Sequence, residues 1–170
     1  MFTIKRFAAA AVAALALTGA AATTASAAAS ATPSATPDQT LSFYNRGAQG
    51  VLDAYCSGPQ GPVTWPIAGG DACQQWKVDQ GSQGLLLESI AKPGQCIQAP
   101  ENIGQLATLT PCNAYDPSQQ WDFPRIGNDV FIAQAGENSQ VLGSLGNYAQ
   151  IELEQADGAA NQRWNPAPPA

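Results

Sequence analysis

Acidic side chains and cysteines are the residues whose chemistry could be functional in this 170-residue chain, because the sequence has no histidine. Without histidine, neither a Ser-His-Asp nor a Cys-His nucleophile can be assembled. A glycosidase-type pair of carboxylates needs two acids on one cleft. The available acids are scattered at Asp53, Glu88, Glu101, Asp116 and Asp122. We therefore predict a protein that is not an enzyme, has no catalytic residues and needs no cofactor.

The four cysteines are Cys56, Cys73, Cys96 and Cys112. In an exported domain an even number of cysteines predicts disulfides, here two, with three possible pairings. A metal site is the alternative, but it has little support because the chain lacks histidine and has no close pair such as C-x2-C. We predict two disulfides and no bound metal.

The N-terminus has the pattern of a secretory signal peptide. A basic start and an apolar segment over residues 7–17 precede Ala25-Ser26-Ala27, which reads as a cleavage signal. We predict a signal peptide over residues 1–27, a flexible Ala/Ser/Thr/Pro lead-in over 28–39 and one domain over 40–166. No later segment is apolar for the roughly twenty residues of a membrane span, so we expect a secreted, extracellular protein without a membrane anchor.

The charge of the chain limits its partners. Beyond the predicted leader, five basic residues oppose thirteen acidic ones, a net charge of −8. The basic residues are dispersed, whereas a nucleic acid or an anionic membrane surface requires clustered lysine and arginine. We predict neither partner. The polar surface must consist mostly of Gln, Asn, Ser and Thr, which suits an uncharged polar ligand and fits plain solubility equally well.

Three similar segments of about 45 residues make up the chain beyond the leader. Each ends in Gln-x-Trp, at Trp76, Trp121 and Trp164, which are 45 and 43 residues apart. Short, mainly apolar tetrads recur upstream at a spacing of 45 and 45 residues: Val51–Ala54, Cys96–Ala99 and Val141–Ser144. A single unit of this size cannot bury its own apolar face, so we expect the three copies to pack together.

Each repeat contains about four short runs that are typical of strands. One run per repeat alternates inward and outward residues: Val63-Thr64-Trp65, Ala107-Thr108-Leu109 and Ile151-Glu152-Leu153. Turn residues such as Lys92-Pro93-Gly94 separate the runs. Beyond the leader, no stretch has the sustained apolar spacing of a helix. We predict an all-β fold.

The chain resembles the ricin B-type β-trefoil lectin domain family. The resemblance rests on the three Gln-x-Trp motifs and on the middle copy, where Cys96-Ile97-Gln98-Ala99 is followed by Cys112 and Trp121. It covers about residues 40–166 and implies a β-trefoil of three four-stranded repeats. Because a buried amide must be satisfied, we expect each motif Gln to bond the backbone of its own unit. The repeats would lie at about 41–79, 85–124 and 130–166, with Trp76, Trp121 and Trp164 in the shared core.

The same resemblance implies how the cysteines pair. Cys96 and Cys112 match the disulfide that family members form inside one repeat. Cys56 and Cys73 are then left to each other, in loops of the first repeat beside its potential ligand pocket. Each disulfide closes a loop of about seventeen residues and stabilises the fold by roughly 3 kcal/mol.

Members of the family bind sugar in a shallow pocket on one repeat, using an Asp, a stacking aromatic and an Asn beside the motif Gln. The Asp accepts hydrogen bonds from sugar hydroxyls, and the aromatic ring covers the C–H face of the pyranose. No repeat of this chain carries the full set. The first has Asp53, Pro66, Cys73 and Gln74; the second has Gln98, Thr110, Ser118 and Gln119; the third has Gly143, Glu154, Asn161 and Gln162.

Other aromatic residues could take the place of the missing one: Tyr55, Trp65, Tyr115 and Tyr148. Trp65 shares its position in the strand with Leu109 and Leu153, which favours a place in the core over a place at the ligand. Asp53 is the best single candidate for a sugar contact. An Asp before a turn also caps nearby backbone N–H groups, and this structural role is an equally good interpretation.

The residues support two functional hypotheses. The first is a secreted, monomeric, non-catalytic protein that binds a glycan or polysaccharide. The second is a trefoil with degenerate sugar sites that binds a secreted protein, for example as a hydrolase inhibitor acting through the loop at residues 57–61. A stable scaffold without a ligand is compatible with the sequence as well.

Overall fold

The computed structural model of the protein describes residues 35–58 and 61–169. The predicted signal peptide and the lead-in up to residue 34 lie outside the described residues. The predicted protein-binding loop is described only in part, since residues 59 and 60 lie outside as well. Ala35 is buried against the core, and the first strand begins at Gln39.

Fourteen strands and three 3-10 helices form the described part of the chain. The first repeat contains β1 (Gln39–Asn45), β2 (Gly50–Asp53), β3 (Val63–Trp65) and β4 (Trp76–Gln80). The second contains β5 (Leu85–Ser89), β6 (Gln95–Gln98), β7 (Thr108–Pro111), β8 (Trp121–Asp122) and β9 (Arg125–Ile126). The third contains β10 (Asp129–Val130), β11 (Ala133–Gln134), β12 (Glu137–Ser144), β13 (Ile151–Gln155) and β14 (Trp164–Ala167).

The helices are short, and each ends on the Gln of a Gln-x-Trp motif: Ala72–Gln74, Pro117–Gln119 and Ala160–Gln162. Each is followed by one extended residue and then by the buried tryptophan that begins the next strand. Among the residues that the structure describes, no helix has the length and apolar character needed to cross a membrane.

Six strand positions close into a barrel. Strand β1 pairs antiparallel with β4, where Leu41 faces Trp76, and with β14, where Asn45 faces Trp164. The ring continues from β4 to β5, from β5 to β8 and from β8 to β11. The short strands β10 and β11 follow each other along the chain and share the sixth position, and β10 pairs with β14 to complete the ring. Because the ring is closed, the strands satisfy their backbone groups on both sides.

Three hairpins extend from this barrel, one in each repeat. They are β2–β3, β6–β7 and β12–β13, and each is joined to the first barrel strand of its own repeat. A six-stranded barrel with three hairpins is a β-trefoil, so the predicted all-β fold class is confirmed. The first and third hairpins also meet directly, since Val63 bridges to Gln150.

The three motif tryptophans are fully buried in the core. Each indole N–H donates to a backbone carbonyl in the hairpin of its own repeat, which satisfies the one polar atom of the ring. The acceptors are Leu52 at 2.9 Å for Trp76, Ile97 at 3.2 Å for Trp121 and Leu142 at 2.9 Å for Trp164. Each tryptophan therefore fixes a hairpin onto the barrel.

Two disulfides are present, Cys56–Cys73 and Cys96–Cys112, in the pairing that the family resemblance implies. The second lies within the hairpin of repeat two, because Cys96 is on β6 and Cys112 directly follows β7. The first joins the loop after β2 to the short helix before β4. The two disulfides therefore brace different kinds of segment.

Strand pairing places Thr64, not Trp65, at the core position of the first hairpin. The equivalent pairs are Leu52 with Thr64, Ile97 with Leu109 and Leu142 with Leu153. The sequence interpretation that aligned Trp65 with the two leucines is therefore wrong by one residue. The buried hydroxyl of Thr64 contacts the Ser144 hydroxyl and donates to the Gly146 carbonyl at 2.9 Å, and Trp65 turns outward.

Candidate functional site

The three motif glutamines are buried and bond the backbone at equivalent positions in each repeat. In the first repeat, Gln74 Oε1 accepts from the Ala68 N–H at 2.9 Å, and Nε2 donates to the Pro66 carbonyl at 2.8 Å. Gln119 and Gln162 bond the backbone of their own repeats in the same way. These contacts confirm the prediction that each motif Gln bonds backbone within its unit.

The glutamine contacts also define which residues are equivalent beside the site. The carbonyl acceptors are Pro66, Pro111 and Gln155, and the residues before them are Trp65, Thr110 and Glu154. Strand pairing gives the same alignment, with Trp65 opposite Val51. Placing Pro66 at the aromatic position was therefore wrong, because the first repeat has Trp65 there. The spacing contained the signal: Trp65 and Thr110 each lie 14 residues after the start of their tetrads.

Asp53 ends strand β2 and is only 5% exposed. One carboxylate oxygen accepts from the Tyr55 N–H at 2.7 Å, and the other accepts from Gln74 Nε2 at 3.2 Å. The turn-capping role considered for Asp53 is thus present in the structure. The same carboxylate also lines a cleft, and a carboxylate has more acceptor sites than these two donors use.

The environment of Asp53 disfavours its charged form. Burial raises the pKa of this carboxyl above the ordinary aspartate value of 3.8, and the nearby Asp71 carboxylate acts in the same direction. The hydrogen bonds from Tyr55 and Gln74 and the positive charge of Lys92 lower the pKa but do not cancel the effect of burial. An additional donor from a ligand would therefore stabilise the ionised form.

A shallow cleft of about 160 Å³ lies in front of Asp53. Its other lining residues come from the loop after β2, from β3 and from the loop before β4: Tyr55, Cys56, Ser57, Trp65, Asp71 and Cys73. The cleft thus combines two carboxylates, a hydroxyl and aromatic surface. This mixture can bind a ligand that has both hydroxyl groups and an apolar face.

Trp65 is the aromatic centre of the site and is 36% exposed. Its ring makes edge-to-face contacts with the rings of Tyr55 and Tyr148, with the ring centres 6.2 Å and 4.7 Å apart. Tyr148 belongs to repeat three, in the loop between β12 and β13. The structure therefore brings together Asp53, Trp65, Gln74 and Tyr148, four of the six predicted sugar-contact residues.

Lys92 fixes the turn that carries Tyr55, although it belongs to the second repeat. Its ammonium group donates to the Ala54 carbonyl at 2.7 Å and to the Tyr55 carbonyl at 3.0 Å. Tyr55 has a φ of 50°, in the left-handed region that a tyrosine seldom adopts. Sequence analysis missed Lys92 because the contact depends on how two repeats pack, and no pattern within one repeat indicates it.

The Cys56–Cys73 disulfide forms a wall of the cleft, where the family has an Asn. Sulfur is a weak hydrogen-bond acceptor, so this wall supplies shape and not polar contacts. The Cys73 N–H donates to Asp71 Oδ1 at 2.9 Å, which caps the short helix and orients Asp71. The disulfide and the cap together hold the loop before Gln74.

The second repeat has neither a carboxylate nor an aromatic ring at the equivalent positions. Gln98 stands where the first repeat has Asp53, and its Nε2 donates to Ser118 Oγ at 2.9 Å. Thr110 stands where the first repeat has Trp65, and its hydroxyl accepts from Gln119 Nε2 at 2.7 Å. The polar groups of this repeat are paired with each other.

The third repeat has its carboxylate on the opposite strand. Glu154 of β13 accepts from Asn161 Nδ2 at 2.8 and 3.0 Å and from Gln162 Nε2 at 2.7 Å. A Cβ at residue 143 would overlap the Glu154 carboxylate, so Gly143 leaves the space that this side chain fills. The predicted contacts Asn161 and Gln162 therefore hold Glu154, apart from the cleft at Asp53.

Within residues 35–58 and 61–169, no group of three or more His, Cys, Asp or Glu side chains is arranged to hold a metal ion.

A profile of the ricin-type beta-trefoil lectin domain matches residues 37–164. The match spans most of the chain and includes all three Gln-x-Trp motifs. The protein belongs to this family, which confirms the resemblance that the motifs indicated.

Several solved structures share the fold at low sequence identity. The designed threefold-symmetric protein ThreeFoil is 16% identical with a TM-score of 0.64, and the match covers 75% of this chain and 97% of that one. The ricin B-like lectin of Macrolepiota procera, solved with lactose, is 19% identical with a TM-score of 0.63, covering 81% and 100%. The C-half of an earthworm R-type lectin, solved with GalNAc, is 21% identical with a TM-score of 0.57, covering 75% and 97%. No curated protein matches the sequence.

Proposed function

We propose that the protein is a secreted, non-catalytic, lectin-like protein that binds an uncharged glycan in the cleft of its first repeat. The observation that carries this proposal is the convergence of the Asp53 carboxylate and the Trp65 ring on one cleft. Membership of a lectin-domain family supports it. The lactose and GalNAc of the two related lectins make galactose-type sugars the first ligands to test.

The expected binding mode divides a sugar ring between two kinds of contact. The Asp53 carboxylate accepts hydrogen bonds from sugar hydroxyls, and such charge-assisted bonds are about twice as strong as neutral ones. The Trp65 ring packs against the C–H face of the same sugar. Ser57 and Asp71, which also line the cleft, add polar contacts at its rim. This mode uses no metal ion.

The way in which the acids of the cleft are bonded supports a non-catalytic role. Asp53 and Asp71 both line the cleft, and each accepts a backbone N–H, from Tyr55 at 2.7 Å and from Cys73 at 2.9 Å. The sequence also lacks histidine, the commonest general base. Incubation with a bound glycan should release no sugar. Hydrolysis that disappeared in Asp53→Asn or Asp71→Asn would contradict this part of the proposal.

The disulfides support secretion, because such bonds form and persist in oxidising compartments. Expression of the whole chain in its native host should yield a product in the culture medium whose mass corresponds to loss of residues 1–27. Retention of the unprocessed chain inside the cell would contradict the export proposal and leave the glycan proposal unaffected. Gel filtration of the secreted product should show a monomer.

A glycan array with Asp53→Asn tests the central claim. The substitution keeps the shape of the side chain and removes its charge, so affinity for the bound glycan should fall by about ten- to a hundredfold, the worth of a hydrogen bond to a charged group. Asp122→Asn is the matched control, since it removes the same charge outside the cleft. Thermal unfolding of both variants checks that the fold is intact. Binding to no glycan, or binding unchanged in Asp53→Asn, would disprove the proposal.

A further inference from the structure

Tyr148 is an exposed aromatic residue that the binding mode described above does not use. Its side chain is 61% exposed, and it is not among the residues that line the cleft. It nevertheless contacts the Trp65 ring, with the ring centres 4.7 Å apart. Tyr148 therefore adds aromatic surface on the side of Trp65 that faces the third repeat.

The backbone of Tyr148 is held in place by the first repeat. The Tyr148 N–H donates to the Thr64 carbonyl at 2.8 Å, and the Thr64 N–H donates to the Ala149 carbonyl at 2.8 Å. The Thr64 hydroxyl donates to the Gly146 carbonyl at 2.9 Å, so both the main chain and the side chain of Thr64 anchor this loop. The loop of repeat three is thus bonded to strand β3 next to Trp65.

The backbone conformation of Tyr148 is energetically unfavourable. Its φ is 61°, in the left-handed region that residues with a side chain seldom adopt. Such conformations persist where the surrounding structure fixes them, and they are concentrated at functional sites. A tyrosine that served only to pack against Trp65 would be expected to be mostly buried, whereas Tyr148 presents most of its ring to solvent.

The two rings meet at an interplanar angle of 84°, so Tyr148 does not simply continue the flat face of Trp65. It forms a second aromatic wall at nearly a right angle to the first. The distance between the ring centres is on the scale of one pyranose ring. A sugar in the cleft can contact Trp65, and the next sugar of the same chain can contact Tyr148.

We propose that the Trp65–Tyr148 pair makes this an oligosaccharide site, in which the second residue of a linked glycan stacks on Tyr148. This inference rests on the function proposed above, because it needs a first sugar in the cleft at Asp53. It goes further by naming the substrate class, a glycan chain of at least two residues. Because the wall is held before the ligand arrives, the second contact costs little ordering entropy.

The test measures, by isothermal titration calorimetry of the secreted protein, its affinity for series of oligosaccharides that contain one to four sugar residues. One series consists of galactose and its β-1,3-linked oligomers, and a second consists of glucose and its β-1,4-linked oligomers. Lactose is tested as a further disaccharide. For the bound series, affinity should rise by roughly three- to tenfold from one residue to two, the worth of one stacked ring. Tyr148→Ala should abolish this rise, so that one and two residues of the bound series have the same affinity.

Two variants serve as controls for that measurement. Tyr148→Phe keeps the ring and should keep the rise. Tyr115→Ala removes an even more exposed tyrosine from the loop of repeat two, outside the cleft, and should change nothing. The inference would be overturned if the parent protein bound one and two sugar residues with equal affinity, or if the increase in affinity persisted in Tyr148→Ala. The proposed function would then still stand wherever Asp53→Asn weakens binding of the single sugar, whereas a parent protein that binds no probe would overturn both.

Discussion

The first and third repeats place a carboxylate beside the motif glutamine from opposite strands. In the first, Asp53 of β2 accepts from Gln74, and Trp65 lies on the neighbouring strand β3. In the third, Glu154 comes from β13, the strand equivalent to β3, and Gly143 leaves room for it. One arrangement leaves a carboxylate and a ring on an open cleft. The other surrounds the carboxylate with two amides and offers no ring.

This difference teaches that the scaffold and the site use separate residues. The tryptophans and glutamines of the motif bond equivalent backbone carbonyls in all three repeats, so they belong to the fold. Two positions on the hairpin, one on each strand, decide what each repeat presents to solvent. The fold can therefore stay threefold while the chemistry of its surface differs from repeat to repeat.

The largest expected effect tests whether the scaffold really is equivalent in the two repeats. Trp76→Ala and Trp164→Ala should each lower the free energy of unfolding by about 3 to 5 kcal/mol, because each empties a fully buried site and leaves a hairpin carbonyl without its donor. Guanidinium denaturation measures both values. If the alanine variants do not fold, Trp→Phe at the same two positions provides a pair of less destabilised variants for the same comparison. A strong effect at only one position would break the equivalence.

The disulfides provide the next test, since repeat one has one at its cleft and repeat three has none. Replacing Cys56 and Cys73 by serine should cost about 3 kcal/mol of stability and also weaken glycan binding, because the wall of the cleft loosens. Replacing Cys96 and Cys112 should cost a similar amount with no loss of binding. Denaturation and titration of the two double variants decide this. Equal loss of binding in both would refute a local role for the first disulfide.

A smaller effect is expected from filling the space beside Glu154. Gly143→Ala should destabilise the protein by about 2 kcal/mol, because the new methyl group displaces Glu154 from its bonds with Asn161 and Gln162. In a Glu154→Ala background the same substitution should cost close to nothing, which a double-mutant cycle measures. Glycan binding at the first repeat should not change in any of these variants. Additive effects would show that Glu154 does not occupy this space.

The smallest expected effect is a loss of glycan affinity at low pH. In the proposed binding mode, Asp53 binds the glycan in its ionised form. Because the pKa of Asp53 is raised, lowering the pH should begin to weaken affinity at a higher pH than the one at which an ordinary aspartate is protonated. For stability the sign is opposite: a raised pKa in the folded state favours folding at low pH, and this contribution is lost as pH rises through the folded pKa. Titrations across pH should therefore show weakening in acid that Asp53→Asn lacks. A pH-independent affinity would contradict the role of the carboxylate.

The fold could be predicted from the sequence because the motif residues repeat at regular spacing. Trp76, Trp121 and Trp164 recur 45 and 43 residues apart, and burial of three large rings permits few arrangements. The register of the first hairpin was predicted wrongly because a threonine occupies a buried position that the other repeats give to leucine. A polar residue there disguised the inward face, and Trp65 was aligned with the core.

The site could be predicted only in part. Asp53 and Gln74 follow from their place in the repeat, and contacts within one repeat are the kind that spacing reveals. Tyr148 was named as a candidate, but its contact with Trp65 depends on how the third repeat packs on the first. Lys92 was missed for the same reason. Glu154 was treated as a missing aromatic, because a sequence alone does not tell that a carboxylate can reach the same glutamine from the opposite strand.

The pairing of β1 with β14 has a consequence for how the molecule forms. It joins Asn45 to Trp164, residues 119 positions apart, so the ring closes only after nearly the whole domain has been synthesised. Contacts of such long range slow folding, because the chain loses the entropy of a large loop before it gains the contacts that close it. Until then both end strands expose unpaired backbone that can pair with another chain. The last repeat contributes no residue to the lining of the cleft and meets it only where Tyr148 contacts Trp65. Its final strand nevertheless pairs with β1 and so ends the period in which these edges are open to aggregation.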